Sequence, residues 1–208
     1  IEILSRRFDI TGHELYVSAS IGIAVHPRDG MTTEELTRNA DTAMYHAKHS
    51  GRNTYQFYSG DMNERVLAKL GMENRMRKSF KEGAFFLEYQ PQFDIRTRKI
   101  CGYEALARWR DPEHGLIPPT EFIKVAEESG LIYSLGEWVL STACAQAKAW
   151  HDAGLPKVRM AVNVSATQFR RHDFIDMVEN ILKDSGLDPE YLEIELTESL
   201  VMEDIEQG

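Results

Sequence analysis

Long hydrophobic runs are absent from this sequence, and none approaches the roughly 20 apolar residues that a membrane-spanning helix needs. A signal peptide is absent too, because charged side chains follow the short apolar start at once. We therefore expect no membrane segment in this chain and a cytoplasmic location. An initial Met is also missing, so we expect a piece of a longer protein, which leaves a membrane or sensory domain upstream open.

Cysteine is scarce, and basic residues are outnumbered by acidic ones. Cys101 and Cys144 lie in apolar segments and are predicted to be reduced thiols, which agrees with a cytosolic protein. Lys and Arg number 24 against 33 Asp and Glu, a net charge of −9, so we expect no DNA or RNA polymer as a partner. The remaining balance, 42% hydrophobic and 27% charged residues, is that of a soluble globular protein.

Residues 1–60 have a strand–helix–strand pattern. Strands are predicted at 15–25 and 55–58, where β-branched and aromatic residues are bounded by turn residues. Between them, Thr32 followed three residues later by Glu35 is a capping box that predicts the start of a helix. The block therefore reads as part of an α/β domain.

Residues 61–83 are predicted to form a linker helix, whose spaced apolar positions favour docking on the following domain. A dimerising coiled coil is the alternative, but the apolar stripe is too short for several heptads. Residues 84–208 then alternate between strands and helices, which indicates a mostly parallel sheet or barrel. The predicted strands are 85–95, 99–109, 158–164 and 192–197, and the predicted helices open at 118–119, span 133–153 and 174–184, and start again at 200.

Three segments of the second block place an oxygen-bearing side chain at the end of an apolar strand. The three side chains are Glu104, Asn163 and Glu195. Three hard oxygen ligands at successive strand ends are what a Mg²⁺ or Mn²⁺ site on an α/β barrel requires. A metal held there can activate water against a phosphodiester.

Each of these residues also has a structural alternative. Glu104 could cap a helix or pair with Arg108 one turn later. Asn163 could be a turn residue, and Glu195 could face solvent from a strand. Together they favour a metal site, because burying several carboxylates is costly unless a cation compensates them.

Five short motifs follow one another over roughly residues 65–208: Tyr89-Gln90-Pro91, Glu104 to Trp109, Pro119-Thr120-Glu121-Phe122, Asn163-Val164-Ser165 and Glu195-Leu196-Thr197-Glu198. In order and spacing they resemble the EAL family, the cyclic di-GMP phosphodiesterases. The resemblance implies a metal-dependent hydrolase acting on cyclic di-GMP, with Mg²⁺ or Mn²⁺ as its cofactor.

The resemblance also implies a role for each matching residue. Glu104, Asn163 and Glu195 are implied to be metal ligands, and Glu198 is implied to support a neighbouring loop. Arg108 is implied to contact a phosphate of the substrate, and Gln90 and Leu106 are implied to line the dinucleotide pocket.

The first block resembles the C-terminal part of a GGDEF domain, the diguanylate cyclase family. The matching residues are Ser20-Ile21-Gly22-Ile23-Ala24, Ala40-Asp41, Ala43-Met44-Tyr45, Ala47-Lys48 and Gly51-Arg52-Asn53. The resemblance implies that Lys48 and Arg52 contact the triphosphate of GTP in an intact domain. The alternative is that both are solvated basic residues at a helix end. Within this chain we prefer the solvated alternative, because the signature of the GGDEF family would lie upstream of the chain's first residue.

The two resemblances imply an α/β protein: the C-terminal piece of a GGDEF α/β domain at 1–60, the linker helix at 61–83, and an incomplete TIM-like (β/α) barrel of EAL type at 84–208. A complete barrel takes about 250 residues, so we expect the chain itself to be inactive, without the remaining ligands and the general base. The intact protein is expected to convert cyclic di-GMP to the linear dinucleotide. Alternatives are a non-catalytic cyclic di-GMP receptor and a diguanylate cyclase with a regulatory EAL domain. Exposed strand edges of a half-barrel favour a homodimer.

Overall fold

The structure is a computed structural model that describes residues 1, 3, 7–11 and 13–196. The chain divides into two compact units, residues 1–71 and 72–208. This division falls within the predicted linker helix, and the domain limits at residues 60 and 83 stay a prediction.

The first unit contains a hairpin and a strand–helix–strand crossover. Strands β1 (Phe8–Ile10) and β2 (His13–Leu15) pair antiparallel. Strands β3 (Ile21–Ile23) and β4 (Tyr55–Phe57) pair parallel, and helix α1 (Thr33–His49) connects them. Parallel neighbours need a long crossover connection, which this helix supplies.

Helix α1 begins at the predicted capping box, which is confirmed. Thr32 Oγ1 accepts a hydrogen bond from the Glu35 backbone N–H, and the Glu35 carboxylate accepts one from the Thr32 backbone N–H, both at 3.2 Å. The helix then packs closely on β3, because a Cβ at Gly22 would lie 1.9 Å from the carbonyl oxygen of Ala40. Glycine at position 22 therefore sets how near the helix and the strand can come.

The strand predicted at 15–25 is wrong in length. Leu15 ends β2, and β3 contains only residues 21–23. A strand persists only where its backbone finds a hydrogen-bonding partner, and β4 offers three residues for pairing. Residues 16–20 therefore do not form a strand.

Helix α2 (Asp61–Glu82) confirms the helix predicted at 61–83. It ends before Gly83, whose φ of +68° is a left-handed conformation that glycine adopts at little cost. Met76 of this helix is fully buried in the second unit, and Arg75 Nε donates to the buried Asp111 carboxylate at 3.0 Å. The end of α2 is thus part of the second unit's core.

Strands and helices alternate in the second unit, as predicted. The strands are β5 (Phe85–Phe93), β6 (Ile100–Asp111), β7 (Gly115–Ile117), β8 (Arg159–Val164) and β9 (Leu192–Leu196), and the helices are α3 (Pro119–Ser129), α4 (Ile132–Asp152), α5 (Ala166–Phe169) and α6 (Phe174–Ser185). Over the described residues they give an open sheet in the order β5-β6-β8-β9, with β7 paired to β6. None of the described helices is long and apolar enough to span a membrane.

The predicted α/β class is confirmed, but strand direction differs from the expectation of a mostly parallel sheet. The pairings β6–β8 and β8–β9 are parallel, whereas β5 and β7 both run antiparallel to β6. The connections explain the difference, because β5, β6 and β7 are joined by short turns. Short turns reverse the chain, whereas parallel neighbours need a helical crossover.

The core of the second unit lies between the sheet and helices α3 and α4. Trp109 and Phe122 are fully buried with ring centroids 6.0 Å apart, and Phe85 stacks on Trp109 at 5.6 Å. Helix α4 adds buried residues along one side, including Cys144. Both cysteines are free, as predicted.

Candidate active site on the open face of the sheet

One face of β6 carries the predicted site residues. Ala105, Trp109 and Asp111 are buried on the helix side of the strand. Because successive side chains of a strand point to opposite faces, Glu104, Leu106 and Arg108 share the other face. This alternation separates the chemistry from the core.

Glu104 lies inside β6 and not at its end, which corrects the expectation. The strand continues to Asp111 because β5 and β7 pair with it antiparallel. The parallel pairing of β6 with β8, however, stops at Ala105. Glu104 therefore still stands near the carboxyl end of the parallel part of the strand, where α/β sites are found.

The three predicted metal ligands lie on three neighbouring strands. Asn163 Nδ2 donates a hydrogen bond to Glu104 Oε1 at 2.6 Å, which joins β8 to β6. Glu195 is the register partner of Asn163 on β9, so the two side chains share one face of the parallel pair. The structure thus brings Glu104 and Asn163 into contact and places Glu195 on the next strand.

Gln92 is a site residue that the sequence analysis missed. Its Nε2 donates to Glu195 Oε1 at 3.4 Å. A Cβ at Gly102, its neighbour in register on β6, would lie 2.8 Å from Gln92 Oε1, so the glycine leaves room for this side chain. Its spacing in the sequence could have indicated this residue, because Gln92 lies two residues after Gln90 and so shares the same face of β5.

A cleft of about 270 Å³ reaches the site at Asn163 and is also lined by Ala105 and Ala107, on the helix side of β6. Leu106, Arg108 and Asn163 line it together with residues of α3, α4 and α5, and Ile123, Leu135 and Val139 supply apolar walls. Gln90 lies opposite Glu104 in the β5–β6 register and is exposed. An apolar cleft with a few polar groups at one end is the usual form of a small-molecule site.

Arg108 pairs with Glu88 and not with Glu104, so the structural alternative of a Glu104–Arg108 pair is wrong. Its Nε lies 2.7 Å from Glu88 Oε2 on β5, and its Nη1 donates to the carbonyl oxygen of Ala107 at 3.0 Å. The reason is that residues four apart are neighbours on a helix but not on an extended strand. The guanidinium is nevertheless only 20% exposed and lines the cleft.

Some predicted residues lie elsewhere. Lys48 is exposed in the last turn of α1, and Arg52 is exposed just beyond it with a φ of +58°. Both belong to the first unit. Glu198 lies outside the described residues. Among the residues that the structure describes, no group of three or more His, Cys, Asp or Glu is placed to hold a metal ion.

Comparison with known protein families identifies the second unit. The sequence model of the EAL domain matches residues 73–207, which is most of the chain. The chain belongs to the EAL domain family. The model of the diguanylate cyclase GGDEF domain matches residues 1–54. Both resemblances found in the sequence are therefore confirmed.

Curated relatives of the chain are named for cyclic di-GMP enzymes. The bifunctional diguanylate cyclase/cyclic di-GMP phosphodiesterase MucR of Pseudomonas aeruginosa is 43% identical over 204 residues, covering 98% of this chain and 30% of that protein. The cyclic di-GMP phosphodiesterase PdeR of Escherichia coli is 39% identical over 193 residues, covering 93% of this chain and 29% of that protein. The chain thus spans less than a third of the length of these relatives.

Solved EAL structures share the fold of the chain. The PaMucR phosphodiesterase in complex with c-di-GMP superimposes with a TM-score of 0.62 at 39% identity, covering 66% of this chain and 56% of that one. The cGMP-bound EAL enzyme Bd1971 gives a TM-score of 0.63 at 28% identity, covering 69% and 41%. The predicted EAL-type architecture is therefore confirmed for the EAL domain.

Proposed function

We propose that this EAL domain, in the longer protein to which its relatives point, hydrolyses cyclic di-GMP to the linear dinucleotide. The observation that carries the proposal is the contact between Glu104 and Asn163 at 2.6 Å, with Glu195 on the next strand and the Arg108 cleft beside them. The names of the relatives support the same substrate, since MucR and PdeR are both called cyclic di-GMP phosphodiesterases.

The donor set fits Mg²⁺ or Mn²⁺. The Asn163–Glu104 hydrogen bond uses the amide nitrogen and one carboxylate oxygen. Asn163 Oδ1, Glu104 Oε2 and the carboxylate of Glu195 remain as hard oxygen donors, the type these cations prefer. Among the described residues, neither carboxylate has a Lys or Arg partner at ion-pair distance, so a cation would compensate two partly buried acids. A bound divalent ion would polarise a phosphate oxygen and lower the pKa of a water.

The chain's own residues hold the substrate in this scheme. Arg108 uses Nε and Nη1 in its present hydrogen bonds, and its remaining N–H groups can donate to a phosphate oxygen. Leu106 supplies an apolar wall for a base, and Gln90 offers an amide on the same face of the sheet. In the hydrolysis, a water oxygen bonds to phosphorus, one ester P–O bond breaks, and the leaving oxygen takes a proton.

Hydrolysis by the full-length protein tests the proposal. With Mn²⁺ present, we expect formation of linear dinucleotide by the wild type, and Glu104→Ala lowers the rate by more than about a hundredfold because a proposed ligand is lost. Glu179→Ala is the matched control, since Glu179 is an exposed carboxylate on α6. A wild type that binds cyclic di-GMP without cleaving it would instead be a receptor, and this result would refute the enzymatic proposal.

Location, GTP contact and oligomeric state are further proposals for this protein. We place the domain in the cytoplasm, where two free thiols are stable. Contact of Lys48 and Arg52 with GTP, and a homodimer of the protein, stay predictions.

A further inference from the structure

Gln168 is a buried polar side chain that joins two elements of the candidate site. It is 6% exposed, and its Nε2 donates to the carbonyl oxygen of Ile132 at 3.1 Å. Its Oε1 accepts from the backbone N–H of Ser165 at 2.9 Å, and its own N–H donates to Ser165 Oγ at 3.3 Å. The start of α5 is therefore tied to the start of α4 through one amide side chain.

Gly136 makes this arrangement possible. It is buried in the second turn of α4, and a Cβ built on it would lie 1.6 Å from Gln168 Nε2 and 2.9 Å from Gln168 Cδ. Glycine in a helix interior lowers helix stability relative to alanine, so its presence at position 136 requires a compensating contact. Packing of the Gln168 amide against Gly136 is the contact that compensates this loss of helix stability.

The amide acts at the point where the chain leaves β8. Ser165 caps α5 and comes two residues after Asn163, with only Val164 between them. The hydrogen bond to the Ser165 N–H fixes the direction in which the backbone leaves the strand. Asn163 and Gln168 also line the same cleft. The hydrogen bond from Asn163 to Glu104 is 2.6 Å long. A lengthening of about 1 Å would break it.

We infer that Gln168, seated against Gly136, is a positioning residue that holds Asn163 in contact with Glu104. The inference rests on the proposed function, because Asn163 matters to catalysis only as a ligand of the divalent cation. Residues that orient a ligand commonly change metal affinity when they are replaced, although they do not touch the metal. Gln168 is assigned that role.

The test compares Gln168→Ala, Gly136→Ala and the double variant in the full chain. The first readout is the side-chain NH₂ resonances of Asn163 by NMR, which report its hydrogen bond to Glu104. The second is Mn²⁺ affinity, measured by titration. We expect each single variant to shift the Asn163 resonances and to weaken Mn²⁺ binding by about 10- to 100-fold. Ser134→Ala, at an exposed position of α4, is the control and is expected to change neither.

The double variant distinguishes positioning from a general defect in α4. If Gly136→Ala acts by displacing the Gln168 amide, it has almost no further effect once Gln168 is alanine, so the two changes are strongly non-additive. Additive losses would overturn the inference. Gln168→Met, which removes both side-chain hydrogen bonds at similar volume, replaces any variant that fails to fold.

The outcome also separates this inference from the proposed function. Asn163→Ala is the reference, and it must weaken Mn²⁺ binding if Asn163 is a ligand. If it does not, the metal proposal fails, and the Asn163 resonances alone decide the role of Gln168. Unchanged Asn163 resonances in Gln168→Ala and Gln168→Met would contradict the positioning role whatever the metal data show.

Discussion

Arg108 has a charged partner in the structure, Glu88, and a second proposed partner, a phosphate of the substrate. Its guanidinium is held by Glu88 at 2.7 Å, yet it lines the cleft where a phosphate is proposed to bind. Phosphate and Glu88 are both acceptors for one cation. The Glu88 pair holds the Arg108 guanidinium at the wall of this cleft.

Replacing Arg108 by alanine should weaken cyclic di-GMP binding without weakening metal binding. A charge-assisted contact of this kind contributes roughly 1.5–3 kcal/mol, so we expect about a ten- to hundredfold rise in Kd. Mn²⁺ affinity in the absence of nucleotide should barely change, because Arg108 contacts Glu88 and not Glu104. Separate calorimetric titrations with Mn²⁺ and dinucleotide measure the two effects.

Glu88→Gln is the matched variant for this measurement. It removes the charge of the partner but keeps a hydrogen-bond acceptor, so dinucleotide binding should stay close to the wild type or become tighter. A parallel loss of metal and nucleotide affinity in Arg108→Ala would show that Arg108 supports the metal site and would refute the phosphate contact.

The candidate ligands could be predicted from the sequence, but several contacts around the site could not. Glu104, Asn163 and Glu195 each lie in a short local motif that the chain carries in order. Glu88, Gln92 and Gln168 act through contacts set by strand register and by helix packing, across 20, 103 and 36 residues of sequence. Hydrophobic pattern does not encode such distances, so the contacts of these three residues required the structure.

Strand β6 shows how pairing overrides local signals at the level of an element. The sequence predicts a strand of 99–109 with Glu104 at the end of its apolar part. In the structure, antiparallel partners on both sides extend the strand to Asp111.

The buried Asp111 carboxylate accepts hydrogen bonds from the backbone of Glu113 and His114. Burial, the largest single influence, opposes ionisation, but these bonds, the His114 side chain and Arg75 together hold the pKa of Asp111 below its usual value.

Helix α4 carries a thiol whose ionisation should couple to folding. Cys144 is fully buried, and burial raises its pKa to about 11. In the unfolded chain the pKa of a Cys is about 8.5, so the folded state binds the thiol proton more tightly. Stability from this group is therefore complete below about pH 8.5 and is lost as pH rises toward 11, by roughly 3 kcal/mol in all.

Urea unfolding at several pH values between 7.5 and 10.5 measures this effect. The free energy of unfolding of the wild type should fall with pH more steeply than that of Cys144→Ala, so the two curves converge. Cys101→Ala, which keeps the Cys144 thiol, should still lose stability with pH more steeply than Cys144→Ala. Parallel curves for the wild type and Cys144→Ala would contradict the coupling.

For the chain as one protein, the α/β class and the two families follow from the sequence alone. The capping box at Thr32 and the alternation of strands and helices after residue 84 are local patterns, and both appear in the structure. The mixed direction of the sheet did not follow, because β5 and β7 carry the same apolar pattern in either direction. Only the short connections to β6 distinguish the two, and their effect is clear once the pairing is known.

We propose that Glu104, Asn163 and Glu195 together hold a divalent cation at the open face of the sheet. Crystals of the protein soaked with Mn²⁺ and examined by anomalous diffraction near the manganese edge test it most directly. We expect a manganese peak within about 2.0–2.4 Å of Glu104, Asn163 and Glu195 oxygens, lost in Glu104→Ala and kept in Glu179→Ala. The absence of a peak at these oxygens, at a Mn²⁺ concentration that supports hydrolysis in solution, would contradict it.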